Sequence, residues 1–380
     1  MTPAFADPMR IRRSLPILIT LLVIAAAVAA VIVLRGQAPP EAARLLPGAD
    51  GFLYVNLKWI RTLNGLSKLP PVSREPEYQK FVDETGFEFE RDLDEAAFAM
   101  HYPENWGQGT AGSSPEPRFS EIFVGKFDST RLVSYLKKIS ASVESYRDFD
   151  IYNIPLEGRT VRVAVLSYDS VAVSNHPDPA VIRGVVDRSR KLASPFGGPA
   201  LLRRFYRQVP LASEAFAILR VRPAEMNSFS GFSGWGLLFP RPAVAVLSAR
   251  YIHALHLRAD LFAENESDAK VIAERASAYV DIFHGAEGSI GVHGTDADVK
   301  AFFDSLKVEH SGDRAILTAK VPPGFINKIL AGAPANAAAP GPQSVPGSQF
   351  VPGPQSGPGA QGAPAQKNPA PGIPKPAAPH

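Results

Sequence analysis

Several residue spacings in this chain match patterns that carry chemistry, and each depends on the element that would hold it. Gly107-x-Gly109-x-x-Gly112 spells the dinucleotide fingerprint, in which glycines let the backbone approach a pyrophosphate at a helix N-terminus. That chemistry needs a strand before the glycines and a helix after them. Asn105-Trp106 precedes and Ser113-Ser114-Pro115-Glu116-Pro117 follows, so a loop is expected and no nucleotide site. Ser134-x-x-Lys137 sets a hydroxyl one helical turn from an amine, as in the nucleophile motif of penicillin-recognising enzymes. The S-D-N and K-T-G elements that must accompany it do not occur. The pair is explained as two polar positions on a helix whose apolar face is Leu132, Leu136 and Ile139.

Metal chemistry is no better placed. His253 and His256 would share a metal ion only on a helix, whereas Val244 to Leu247 and Ile252 to Phe262 alternate as paired strands, putting positions three apart on opposite faces. The pairs Asp92/Asp94, Asp148/Asp150 and Asp296/Asp298 could bind a divalent cation. Asp296 has a simpler role as a helix cap with Asp298 in the first turn, and Asp92 and Asp94 sit with Glu88, Glu90, Arg91 and Glu95 in a solvated acidic turn. Cysteine is absent, which excludes disulfides, thiolate metal sites and cysteine nucleophiles. The expectation is no metal, no cofactor and no identifiable catalytic residue.

The strongest site candidate is the segment from Ser228 to Pro240, where Phe229, Phe232, Trp235 and Phe239 alternate with serine and glycine. Such a loop can dip into a membrane interface or meet an apolar partner, and these four residues are the expected contact.

Residues Leu15 to Leu34 form an apolar run whose one polar side chain is Thr20, preceded by Arg10, Arg12 and Arg13. At 1.5 Å per residue it reaches roughly the 30 Å of a hydrocarbon core. The arginine bias predicts a cytoplasmic N-terminus over residues 1–14, a signal anchor over 15–34, a linker over 35–45, and an extracytoplasmic remainder held at the inner membrane by a single pass. A cleaved signal peptide is the competing reading, since Ala25 to Ala30 supplies small residues, but the run continues through Val31 to Leu34. The body is ordinary in composition, 45% hydrophobic and 20% charged, with a net charge of +3 and no basic stripe, so no nucleic-acid partner is expected. Residues 333–380 shift to Pro, Gly, Ala and Gln, with a Gly-x-Gln-x-x-Pro repeat from Gly341, and predict a disordered tail.

Between them the pattern is α+β. The sequence predicts strands at Phe52 to Leu57, Ala97 to Tyr102, Glu121 to Phe127, Asp150 to Ile154, Thr160 to Leu166, Ser170 to Ser174 and Ala215 to Val221. Helices are expected at Lys58 to Leu66, at Pro76 to Thr85 before Gly86, after an Asp128 cap, and at Pro179 to Leu192 with Ile182, Val185 and Val186 inward. A strand at Ile290 to Gly294 is expected to lead through Asp296 into a helix with Val299, Phe302, Phe303 and Leu306 on one face, followed by a hairpin about Gly312-Asp313. The order of elements repeats, which predicts two related modules of antiparallel sheet with short amphipathic helices, residues 46–193 and 194–332.

The stretches LPGADGFLYVNL, FVGKFDSTRLVSYL, IYNIPLEGRTVRVAVLSYDSVAVSN and HPDPAVIRGVV resemble a group of uncharacterised bacterial envelope proteins with an N-terminal membrane anchor and an exported α+β domain of unknown function. The resemblance implies export and carries over no catalytic residue. The first expectation is therefore a non-enzymatic interaction or scaffolding domain with an envelope protein as partner. The second is a binding module for a lipid or other apolar ligand, which a large apolar pocket would favour, and the third is a hydrolase, which a Ser-His pair in a cleft would favour.

Overall fold

The computed structural model describes residues 38–59, 75–103, 117–190, 197–223, 235–290 and 297–326. The anchor at 15–34, the Gly107 to Gly112 motif and the tail at 333–380 lie outside them. Among the described residues no helix is long and apolar enough to cross a membrane.

The class is α+β, built on one antiparallel sheet. Its strands are β1 Gly51–Asn56, β2 Leu93–His101, β3 Arg118–Gly125, β4 Ser142–Tyr146, β5 Phe149–Leu156, β6 Arg159–Val165, β7 Ser170–Ser174, β8 Ala215–Val221, β9 Ala243–Ile252, β10 Ala254–Phe262, β11 Lys307–Ser311 and β12 Arg314–Val321. They lie in the order β11-β12-β10-β9-β8-β1-β2-β3-β7-β6-β5-β4, so β1 and β8 meet at the interior of the sheet. The helices are α1 Glu41–Leu45, α2 Pro76–Thr85, α3 Phe89–Asp92, α4 Ser129–Ile139, α5 Ala180–Arg190, α6 Ala200–Phe205, α7 Glu266–Ile290 and α8 Ala297–Asp304.

Strand alternation sorts the side chains onto two faces. One face presents Phe52, Tyr54, Ala97, Ala99, Ile122, Ala172, Ala164, Ile151, Phe216, Ile218 and Val246, all buried under α1, α5 and α6. The alanines at 97, 99, 164 and 172 are fully buried, and their short side chains let Ala42, Ala43, Ile182 and Val186 approach the strands closely. On the opposite face, the half of the sheet from β2 to β7 is covered by α2 and α4. Here Leu132 and Leu136 pack on Tyr152, Val163 and Val171, and an aromatic cluster joins Phe81, Phe87, Phe98, Phe123 and Phe127. Phe87 and Phe127 stack with centroids 4.5 Å apart.

Local signals place these helices. Asp128 caps α4 by accepting from the Thr130 and Arg131 backbone N–H groups, as its position before Leu132 and Leu136 predicts. Pro76 opens α2 and Gly86 closes it at φ 73°, a left-handed conformation in which a β-carbon would also meet Arg131. Arg131 in turn donates to the Asp83 and Glu84 carbonyls at the end of α2, a cation on the negative end of a helix dipole.

Four elements differ from the sequence expectation. Ile290 ends a 25-residue helix, α7, instead of opening a strand, because Ala269, Ile272, Ala273 and Ala276 recur at helical spacing and bury one face. Residues 291–296 lie outside the described ones. β9 and β10 turn about His253 alone, whose φ is 58°, so the second strand starts at Ala254 rather than Ile252. Residues Phe89–Asp92 form a helical turn where a solvated acidic turn is expected, and Ser142–Tyr146, which lacks strong alternation, adds the edge strand β4.

Candidate functional site

On the face opposite α6, the sheet from β1 through β8, β9 and β10 to β12 carries two rows of apolar side chains that run across the strands. Register places Leu53, Ala217, Leu247, Ala259 and Leu317 in one row, one residue from each strand. The neighbouring row is Ala215, Ala249, Leu257 and Ala319. Helices pack on a sheet at roughly 10 Å, a gap that leucine-sized side chains fill and alanines leave open. The result is a groove of about 540 Å³ over these two rows, walled by Val280 of α7 and by Phe302 and Leu306 at α8. That volume falls within the range of small-molecule sites, ~300–1,000 Å³.

The groove is bounded where larger side chains resume. In the next row, Leu219, Ala245, Leu261 and Ala315, the last three pack with Ile272 and Ala273 of α7, and Ala245 and Leu261 are almost fully buried. On the β1 side the aromatic cluster begins at Phe98, opposite Leu53. Within the groove Leu53 and Leu257 remain 41% and 37% exposed, which is unusual for leucines on interior strands and marks them as unoccupied apolar surface.

At its β12 end the groove adjoins a polar cleft of about 550 Å³, with Lys307, Thr318 and Ala319 common to both. The cleft is completed by His256, Ala301, Asp304, Ser305 and Lys320. Beyond Thr318, β11 no longer pairs with β12, and Ser305 takes over. Its hydroxyl accepts from the Lys320 N–H at 2.8 Å and donates to the Phe302 carbonyl at 2.6 Å, with the Lys320 carbonyl 3.1 Å away.

The residues singled out from sequence fall elsewhere. Phe229 and Phe232 lie outside the described residues, as does the side chain of Trp235. Phe239 is a core residue, 2% exposed among Val221, Ala243 and Ile272, so the expectation that it contacts a membrane or partner is corrected: α7 covers it. Leu237 beside it is exposed, and its carbonyl accepts from Arg275. Ser134 donates to the Thr130 carbonyl on the exposed side of α4. His253 sits at its turn and His256 in the polar cleft. The Arg91 guanidinium, hydrogen-bonded to Asp92, holds that carboxyl below its usual range, while Asp94 pairs with Lys58. Among the described residues no group of histidine and acidic side chains is arranged to hold a metal ion.

A Ser-His contact does exist. His101 Nε2 lies 3.1 Å from Ser120 Oγ, which lies 3.0 Å from Ser174 Oγ. Both serines are buried, at 0% and 1% exposure, and the histidine is pushed down to about 4 by burial with His176 against it. A nucleophile needs access, and a general base works best near the ambient pH, so this is a polar seam across β2, β3 and β7 and not a hydrolytic site. A further cleft holds Arg204, Arg220 and Arg222, of which the last two are engaged by Asp50.

The groove residues were not identified from sequence. In β9 Ala243, Ala245, Leu247 and Ala249 share one phase, but Ala243 and Ala245 are packed under α7, so small residues on one face do not by themselves mark an open groove. No protein-family model matches the chain, and no curated protein matches it. Two crystal structures of a protein designated TP0453, crystal forms III and IV, are similar at 12% identity and a TM-score of 0.40, covering 77% of this chain and 99% and 97% of theirs. Similarity of this degree carries no argument about function.

Proposed function

We propose that this protein is a membrane-tethered, extracytoplasmic binding module for an apolar ligand, which occupies the groove over Leu53, Ala217, Leu247, Ala259 and Leu317. The observation that carries the reading is the groove itself: about 540 Å³ over alanines and leucines, with no charged group on its floor. Each methylene moved from water into such a site contributes ~0.8 kcal/mol, so a long hydrocarbon is the natural occupant. A flat polar surface would have favoured the scaffolding reading with an envelope partner; a concave apolar one favours ligand binding.

The location rests on the apolar run at Leu15 to Leu34, the arginines before it, and the resemblance to anchored envelope proteins. The disordered tail rests on composition alone. The reading of two related modules is supported by strand order. From the β1–β8 pair each half runs outward through three consecutive strands, β1-β2-β3 and β8-β9-β10. Each then reaches, across a connection that contains a helix, the second strand of a hairpin, β7 or β12, and next to it the first, β6 or β11, with β5 and β4 extending the first half alone.

The test uses the full chain in lipid nanodiscs with a diazirine-bearing hexadecanol. Photolabelling that maps to peptides of β8, β9, β10 and β12, and is competed by unlabelled hexadecanol, is the expected result. Labels confined to the 15–34 segment would mean that the groove binds no hydrocarbon. Fusion of a reporter active only outside the cytoplasm after residue 332 tests the orientation, and an inactive reporter would reverse it.

A further inference from the structure

We infer, given the anchor proposed at 15–34, that α6 and the turn after it form a membrane-docking ridge, on which Arg203, Arg204 and Arg207 meet the anionic headgroups of the bilayer holding that anchor. Docking of this kind turns the helix layer of α1, α5 and α6 toward the lipid.

Tether length limits where the domain can sit. The apolar run ends at Leu34, and Pro39 is already buried against the domain. The five residue steps between them, even fully extended, reach at most about 18 Å. An anchored chain is therefore held to the bilayer by the side on which Pro39 and α1 lie. α6 belongs to that side: Ala42 and Ala43 of α1 share one core with Leu201 and Leu202 of α6. Gly198, two residues before α6, lies so close to α1 that a β-carbon on it would stand 3.4 Å from the Arg44 Cα. The short leash on α1 brings α6 to the lipid surface with it.

Charge separates α6 from its neighbours. Residues 188–213 hold six lysines and arginines and no acidic residue, in a chain whose total charge is only +3. The arginines of α5 are spent within the protein, Arg183 on Glu144, Arg188 on the Leu45 carbonyl and Arg190 on Asp148. Those after it are not. Arg203, Arg204 and Arg207 are exposed, and none enters an ion pair among the described residues. Leu201 and Leu202 are buried beneath them, so the segment is basic outward and apolar inward. Leu211, just past the turn, is 57% exposed and sets an aliphatic side chain near the cations, a mixture that suits a lipid interface.

The same two facts favour lipid over an acidic protein. A protein partner would have to displace the bilayer to which the tether already holds this face, whereas a headgroup surface demands no shape complementarity. Each cation beside an anionic leaflet strengthens association about fivefold, within a Debye length of about 8–10 Å. The groove lies on the other face of the sheet, so docking holds it away from the bilayer.

The chain has no cysteine, so Ala200→Cys on exposed α6 and Ile282→Cys on α7, across the sheet, each create a single labelling site. A fluorophore at either position is read on the full chain in nanodiscs that contain a headgroup-spin-labelled lipid as quencher. With about one third phosphatidylglycerol, quenching at position 200 should exceed that at 282 at least threefold, and high salt or pure phosphatidylcholine should lower it about threefold. The pair Arg203→Gln, Arg207→Gln should lose the part that depends on phosphatidylglycerol, with an unchanged urea midpoint. The pair Arg203→Lys, Arg207→Lys should keep it, because a headgroup surface reads charge. Quenching at 200 that ignores phosphatidylglycerol, or that equals quenching at 282, overturns the ridge while the tether stands. A chain that does not co-elute with nanodiscs of pure phosphatidylcholine overturns the tether and the docking inferred from it.

Discussion

Leu53 and Ala217 stand directly opposite each other where β1 meets β8, on the side of the sheet away from the main core, and they differ in what lies above them. Leu53 borders a face filled by the phenyl rings of Phe81, Phe87, Phe98, Phe123 and Phe127. Ala217 begins a face where the helix walls stand off from the strands. The pair marks the line at which one sheet changes from packed core to open groove, and the change follows from side-chain volume: phenylalanines on one side, alanines on the other.

Filling the groove and overpacking the core should separate cleanly. Ala249 is half-buried and faces open space, so Ala249→Phe should occupy the groove at a cost under about 1 kcal/mol while reducing hexadecanol labelling several-fold. Ala245, four residues earlier on the same strand and phase, lies under Ile272 at 2% exposure. Ala245→Phe should therefore cost ~1–3 kcal/mol in urea unfolding. Equal stability losses would mean that the space over Ala249 is not open.

Asp260, at 1% exposure, has two guanidinium partners, Arg258 at 2.6 Å and Arg314 at 3.5 Å. Arg314 also donates to Gln208, joining β12 to the segment after α6. Asp260→Ala leaves both arginines without their shared acceptor. Because the arginine side chains keep 36% and 29% exposure, the loss should fall near the lower end of that for broken buried pairs, about 2–3 kcal/mol. A thermal melt that shifts by less than a degree would show that solvent already screens the pair.

What the sequence made legible was local. Asp128, Gly86, the Pro76 start and the period-two strands each follow from chemistry within a few residues, and each stands where the pattern puts it. The groove depends instead on register: Ala217, Leu247, Ala259 and Leu317 are separated by up to a hundred positions and become neighbours only through the pairing of four strands. Likewise the aromatic alternation before Pro240 draws attention to Phe239, yet its burial is decided by α7, some thirty residues onward. Composition along one segment cannot report which distant helix will cover it.

The cap on α4 offers a test of a purely local term. Asp128 accepts from Thr130 N and Arg131 N at 3.1 Å each, so Asp128→Ala should cost about 1 kcal/mol, and Asp128→Ser should recover most of it. The measurement is the urea midpoint of each variant. If serine and alanine are equally destabilised, the carboxylate acts through charge on the helix end and not through its hydrogen bonds.

Glu121 and His101 should make the stability of this fold depend on pH in opposite senses. Glu121 lies on β3 between Phe98 of β2 and Val173 of β7, and burial pushes its carboxyl up to about 7 from 4.5. Folding then favours the neutral acid, so its contribution is full below pH 4.5 and is lost as pH rises through 7. His101 is pushed down to about 4 from 6.5 by burial, with His176 adding to the effect and Asp50 opposing it. Its contribution is full above pH 6.5 and is lost as pH falls through 4. Between pH 4.5 and 6.5 the two slopes oppose, and the parent protein should show a shallow profile there. Glu121→Gln should remove one slope: the variant should match the parent at pH 4 and exceed it at pH 8 by about 1–2 kcal/mol, since the partly solvated side chain feels less than the full shift. His101→Phe should expose the other slope, with stability falling from pH 4.5 to 7. Urea unfolding at pH 4, 5.5, 7 and 8 decides it, and a Glu121→Gln variant less stable than the parent at pH 8 would mean that the carboxylate is held by an attraction stronger than its cost of burial.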